Sequence, residues 1–312
     1  MKSPPARGNP NNPLPSGWRP TPNQRRLDTL MHLLFSGVAG VLLLAPPALA
    51  PAAVAAPQPL WAEGTPALLQ QGLRIRRGLA TGDALVALAR RAIGRPYVAF
   101  SLDQGPSERL QLDLGRFDCF LFVEQLLALV QLHPQRPGAA QNAFADQVRR
   151  LRYEGGRVDY CHRQHYFSRW AAAAQRQGLL SDITATLPGA RSRRIPLRFM
   201  SSHPQSYKPM RQDPNRRCIA RLEAGLVAKQ AYVPIAALGQ ALPHLQNGDI
   251  FGLVTRVDGL DVTHVGFVEV EGDRRHALHA APGKGVMRSR DLARYVVGVG
   301  EVVGLMVLRP AA

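Results

Sequence analysis

Helical patterns first and strand patterns last predict an α+β fold, and three observations carry that prediction. Between residues 82 and 177 apolar residues recur at helical spacing. From Gly248 onward, short runs rich in Val, Leu and Phe are joined by Gly/Asp turns. With 46% hydrophobic and 20% charged residues among 312, the chain has enough apolar material for a core. There is no internal repeat. The same composition excludes a collagen-like chain, an acidic disordered tail protein and a cysteine-stapled mini-domain.

Residues 1–24 are rich in Pro, Asn and Gly and predict no stable structure. Arg25-Arg26 is followed by an apolar run, Leu33–Ala45, which at 13 residues is short for a membrane span and suited to a secretory signal. Small residues suited to cleavage follow at Ala48-Leu49-Ala50 and Ala53-Val54-Ala55. Residues 1–55 are therefore expected to be a basic leader plus signal, and 56–312 a single exported, periplasmic domain. An uncleaved anchor is the alternative, and it would be the one membrane contact.

Helices are expected over 82–93, stopped by Gly94, over 117–132, stopped before Pro134, over about 141–152, and over 168–177 ahead of Gly178. The segment FDCFLFVEQLLALVQL (117–132) is apolar on most faces and predicts a buried helix. Gly94-Arg95-Pro96-Tyr97 predicts a turn and a polar loop to about Gly115. Residues 179–247, with many Pro, Arg and Ser, carry only a short helical pattern. Strands are expected at 249–256, 263–271, 276–281 and 302–309.

Lys plus Arg number 39 against 22 Asp plus Glu, a net +17; beyond the leader 34 bases and 21 acids leave +13. Arg outnumbers Lys 35 to 4 and is scattered without a basic run, so nucleic acid is not an expected partner.

The three cysteines are Cys119, Cys161 and Cys218, an odd count that leaves at least one thiol free; Cys161 and Cys218 pair, or all three are unpaired. Cys119 follows Asp118, a good N-cap, at the start of the buried helix. Free backbone N–H groups and the positive end of the helix dipole there are expected to lower the thiol pKa. A thiol nucleophile needs a base. His264 lies in a strand pattern on the face of Gly266, and a Glu271-Gly272 turn would set His264 directly opposite His279, about 5 Å away. His162/His165 beside Cys161, and His276/His279, are spaced three apart. Without an HExxH or CxxC motif, neither metal nor cofactor is expected.

GRPYVAF (94–100), FDCFLFVE (117–124), LRYEGGRVDY (151–160), RQHYFSRW (163–170), FMSSH (199–203), NGDI (247–250) and LDVTHVGF (260–267) occur in one order. Together they resemble the N-acetylmuramoyl-L-alanine amidase-like family of NlpC-type, papain-related cell-wall cysteine peptidases, over roughly residues 80–310. The resemblance implies a papain-like fold in which an N-terminal helical part, bearing the Cys119 helix, packs on a C-terminal antiparallel sheet. Residues about 152–247 would be its family-specific middle.

It further implies Cys119 as nucleophile, His264 as base and His279 as the third, polar residue. The substrate-binding set expected around the thiol is Tyr97, Asp118, Arg163, His165 and Tyr166. One departure, Leu121 where Thr is common, is expected to alter packing alone. The implied substrate is peptidoglycan or a muropeptide, whose stem-peptide carboxylates suit a basic surface. The implied reaction is hydrolysis of the N-acetylmuramoyl–L-Ala amide. Cleavage of the D-glutamyl–diamino acid bond on the same fold, and a non-catalytic wall-binding module, are the alternatives.

Overall fold

The apolar periodicity of the first half becomes, in the computed structural model, a set of helices laid on a sheet. The structure describes residues 58–132 and 138–312. The expected leader and signal lie outside the described residues. The described elements belong to one compact unit, and no described helix is long and apolar enough to cross a membrane.

Helix α1 (Thr65–Ile75) has no counterpart among the expected elements. Its Gly72 lies so close to α3 that an added Cβ would meet Leu129 at 2.6 Å. Helix α2 (Thr81–Arg91) occupies the 82–93 pattern, and Gly94, at φ +86°, ends the turn after it. Helix α3 (Cys119–Val130) is the buried helix, followed by α4 (Ala140–Arg152) and α5 (Phe167–Arg176).

The longer elements that follow, with the short β1, are β1 (Leu180–Asp182), β2 (Arg191–Pro196), α6 (Asp213–Glu223), β3 (Val227–Pro234), β4 (Ile250–Thr255), β5 (Val262–Glu271), β6 (Arg274–Ala281), β7 (Gly285–Ser289), α7 (Leu292–Gly298) and β8 (Val302–Pro310). One sheet runs β2-β3-β8-β4-β5-β6-β7, with β1 also on β8 and neighbouring strands antiparallel. The four expected strands are β4, β5, β6 and β8.

The middle segment, which carries little readable pattern, extends this sheet. Strand β2 is an edge strand with a single buried residue, Ile195, so it shows no alternation. A bridge between Cys161 and Cys218 ties the segment before α5 to α6. It resolves the open cysteine pairing and leaves Cys119 free.

Helix α3 lies on the sheet face formed by Val265, Phe267, Leu278 and Ala280, where the Phe122 and Phe267 rings meet edge to face at 5.5 Å. Each such fully buried side chain contributes about 1.5–3 kcal/mol of transfer energy. The opposite face packs Phe251, Val268 and Ala277 against Leu292 and Val296 of α7.

The β5–β6 turn is Gly272-Asp273, flanked by the pair Glu271↔Arg274, not the expected Glu271-Gly272. Gly272, at φ +57°, supplies the positive φ that the first turn position requires. The register therefore slips by two residues. Side chains alternate with a period of two, so the slip keeps His264 and His279 on one face but makes them diagonal neighbours. A Cβ on Gly266 would meet His279 Cβ at 2.8 Å and the Phe251 ring at 2.7 Å, so glycine there opens the space into which His279 packs.

Candidate active site

Cys119 opens α3 because Asp118 caps the helix, its Oδ1 accepting from the Leu121 amide at 2.7 Å. The backbone amides of Cys119 itself, of Phe120 in the same turn and of Val265 on β5 each favour the thiolate. Even so, burial first and the Asp118 charge second push the thiol up to about 12. This corrects the expectation of a lowered pKa. The helix terminus acts as anticipated, but removal from water outweighs it.

Cys119 packs against the cluster that contains Val265, the neighbour of His264 on β5. Between Leu253↔His264 and Val254↔Val262 the β4–β5 register shifts, a bulge at Thr263 that re-aims the strand beside His264. His264 Nε2 lies 2.9 Å from His279 Nδ1, with the two rings edge to face. His279 Nε2 lies 3.0 Å from Ser289 Oγ, and the Tyr295 hydroxyl is 3.4 Å from His279 Nδ1. Burial lowers both imidazoles, His264 to about 3 with His279 adding to the effect, and His279 to about 4 with Lys284 adding. Both are therefore neutral near pH 7. Burial, then the Cys119 charge, holds the Tyr295 hydroxyl well above its ordinary value.

Cys119 lines a cleft of about 360 Å³ together with Tyr97, Asp118, Leu121, Arg163 and His165. The Tyr97 turn is pinned beside the start of α3 by Val98 N–H donating to the Phe117 carbonyl at 2.9 Å and by Phe117 N–H donating to the Pro96 carbonyl at 3.1 Å. Burial, then Cys119 and Asp118, push the Tyr97 hydroxyl up to about 12. The histidine pair lines a second pocket of about 350 Å³, with Lys284, Ser289 and Tyr295.

Arg163 is nearly buried, donates to Asp103 at 2.5 Å and lies 3.6 Å from Glu108. His165 Nε2 sits 2.7 Å from the Tyr160 carbonyl oxygen, and burial followed by the Arg163 charge lowers it to about 3. Below them, Arg152 donates twice to Glu124 Oε2, at 2.8 and 2.6 Å, in the buried floor of the cleft.

Of the expected substrate-binding residues, Tyr97, Asp118, Arg163 and His165 share this cleft. Tyr166 does not line it. Its hydroxyl donates to Glu223 at 2.5 Å and accepts from the Met200 amide at 3.2 Å, so it joins α5 to α6 inside the fold. His162 contacts Asp159 at 2.7 Å, and His276 contacts the Ser289 carbonyl at 3.3 Å. Ser289 and Tyr295 went unread in the sequence, since β7 and α7 that carry them are short.

Comparison with known proteins follows the same outline. A family model described as N-acetylmuramoyl-L-alanine amidase-like matches residues 87–299. The crystal structure of a N-acetylmuramoyl-L-alanine amidase from Bacteroides uniformis is 30% identical in sequence. It covers 74% of this chain and 99% of its own, with a TM-score of 0.69. A Bacteroides fragilis protein provisionally named a xylanase is 33% identical over 72% of this chain and 99% of its own, with a TM-score of 0.66. A Legionella pneumophila protein at 19% identity, covering 80% of this chain and 95% of its own with a TM-score of 0.64, shares the fold. No curated protein matches by sequence.

Proposed function

The chain belongs to the N-acetylmuramoyl-L-alanine amidase-like family, and on that premise we propose that it is an exported, metal-independent cysteine amidase that cuts the muramoyl–L-Ala bond of peptidoglycan fragments. The observation that carries this reading is a free thiol at the capped start of α3, packed against the cluster that includes Val265, the neighbour of His264 in a hydrogen-bonded His264–His279 pair.

In this mechanism Cys119 and His264 rest as neutral thiol and neutral imidazole. As the lactyl carbonyl arrives, the S–H proton passes to His264 Nδ1 while sulfur bonds to the carbonyl carbon. The oxyanion takes N–H groups of the first α3 turn. His264 returns its proton to the departing nitrogen of L-Ala, the C–N bond breaks and a thioester remains. Water gives a proton to His264, adds to the thioester and releases the lactyl carboxylate, and the thiol is restored. Tyr97, Arg163 and His165 shape the cleft that receives the substrate. Stem-peptide carboxylates suit the basic chain, and the fold is of the papain-like, NlpC type.

A periplasmic setting fits the Cys161–Cys218 bridge, since disulfides persist in oxidising compartments. Membrane contact is confined to the leader, and nucleic acid is not a partner. Mass spectrometry of defined muropeptides incubated with the protein, with Cys119→Ala as control, tests the reading. Free stem peptide beginning at L-Ala is expected. A cut after D-Glu instead makes the protein an endopeptidase on the same residues, and no Cys119-dependent product leaves a wall-binding module.

A further inference from the structure

We propose that Ser289 is a positioning residue: its hydroxyl oxygen accepts a hydrogen bond from His279 Nε2 and so sets the tautomers of both imidazoles, leaving His264 Nδ1 bare to receive the thiol proton. The assignment rests on the amidase reading only for what His264 does with that lone pair.

The geometry runs across one face of three strands. On β6 and β7 the register pairs Ala277 with Ser289 and His279 with Met287, so Ser289 stands diagonally from His279 on the same face. The slipped β5–β6 register places His264 diagonally on the other side. Side chains at such positions lie within reach of a long or aromatic partner. The result is a continuous line: His264 Nε2 to His279 Nδ1 at 2.9 Å, then His279 Nε2 to Ser289 Oγ at 3.0 Å.

A neutral imidazole has one N–H and one lone pair, so the line has two self-consistent orders. In the first, Ser289 accepts from His279 Nε2–H, His279 Nδ1 accepts from His264 Nε2–H, and His264 Nδ1 is bare. In the second, the Ser289 hydroxyl donates to His279 Nε2, every proton shifts, and His264 Nδ1 carries hydrogen. The second order cannot take a proton from Cys119.

The free end of the line favours the first order. Among the described residues, no hydrogen bond joins His264 Nδ1 to another protein group. The second order would put an N–H there without an acceptor, whereas the first leaves a lone pair, the less costly of the two. The Tyr295 hydroxyl, 3.4 Å from His279 Nδ1, can donate or accept and is compatible with either order. In that first order Ser289 does for His279 what a carboxylate or carbonyl does for many metal- or proton-handling histidines: it holds the hydrogen on one nitrogen.

The test reads the tautomers directly. In the purified protein with ¹⁵N-labelled histidine, ring nitrogen shifts assigned through His264→Gln and His279→Gln should show hydrogen on Nε2 of both rings near pH 7. Hydrogen on Nδ1 of either ring overturns the proposal. Ser289→Ala should mix the tautomers of both rings. It should slow alkylation of Cys119 by iodoacetamide, and kcat on a muropeptide with KM little changed, by about 10- to 100-fold. Ser289→Thr, which keeps the hydroxyl, should restore both. Alkylation within twofold of wild type in Ser289→Ala, with the shifts unmoved, also overturns it. The wild-type shifts decide even if Ser289→Ala does not fold, and they support the assignment even where no muropeptide is cut.

Discussion

The cleft that Cys119 lines is built from full charges. Arg152 is paired with Glu124, Arg163 with Asp103 and Glu108, and Tyr153 donates to Glu108 at 2.7 Å. The pocket behind the histidines is built from neutral groups, two imidazoles, a serine and a tyrosine, with exposed Lys284 the charged side chain in its lining. In the first region buried charges persist because each has a partner, and the cost of losing one is paid in stability. In the second, burial holds imidazoles in the uncharged state, the form in which one can act as a base. The difference separates a frame of paired charges from a line of uncharged, hydrogen-bonded side chains.

The largest effect should come at the thiol between them. Cys119→Ala is expected to lower kcat by at least about 10⁴-fold while far-UV circular dichroism and Tm stay near wild type; substantial remaining turnover would sink the nucleophile assignment. Next come paired substitutions that should behave oppositely. Arg152→Met strands the Glu124 carboxylate in the core and should cost roughly 3–5 kcal/mol in denaturant unfolding. His279→Ala should cost less stability, roughly 1–3 kcal/mol for the lost hydrogen bonds, and about 10²-fold in kcat. If the rate loss followed Arg152 and the stability loss followed His279, the contrast between the regions would be wrong.

Removing the bridge with Cys161→Ser and Cys218→Ser should lower stability by roughly 2–4 kcal/mol and leave the tautomer line intact, as a chemical melt with parallel activity assay would show. The smallest effect is a displacement along the pH axis. His264 is lowered to about 3 by burial, and its neutral form, the one the proposed mechanism uses, dominates above that value. The acid limb of kcat/KM for folded protein should therefore lie far below the usual imidazole value near 6.5. A limb found near 6.5 would show that water reaches the ring.

How much of this was legible in the sequence follows from what each residue faces. Helix α3 was readable because it is buried on nearly every side, and β4, β5, β6 and β8 because they are apolar core strands. Strand β2 was not, since Arg191, Ser192 and Arg194 sit exposed on a sheet edge that only Ile195 anchors. Cys119, His264 and His279 were found by residue type and spacing. The face that His264 and His279 share survived a wrong turn assignment because the error was an even number of residues. Ser289 carries no comparable mark, as one serine on a five-residue strand becomes significant only when the register sets it beside His279. Tyr166 shows the converse, a chemically attractive residue whose hydroxyl is committed to Glu223.

A chain with one bridge and one unpaired thiol has three ways to join two of its cysteines, and two of them would consume Cys119. Disulfide exchange proceeds through thiolate, and a thiol held near 12 presents very little of it at neutral pH. Once α3 has docked on β5, Cys119 is therefore expected to exchange slowly with mixed disulfides and with the other two sulfurs. The surroundings that hold the sulfur as a thiol thus also favour the one pairing of the three that leaves it free.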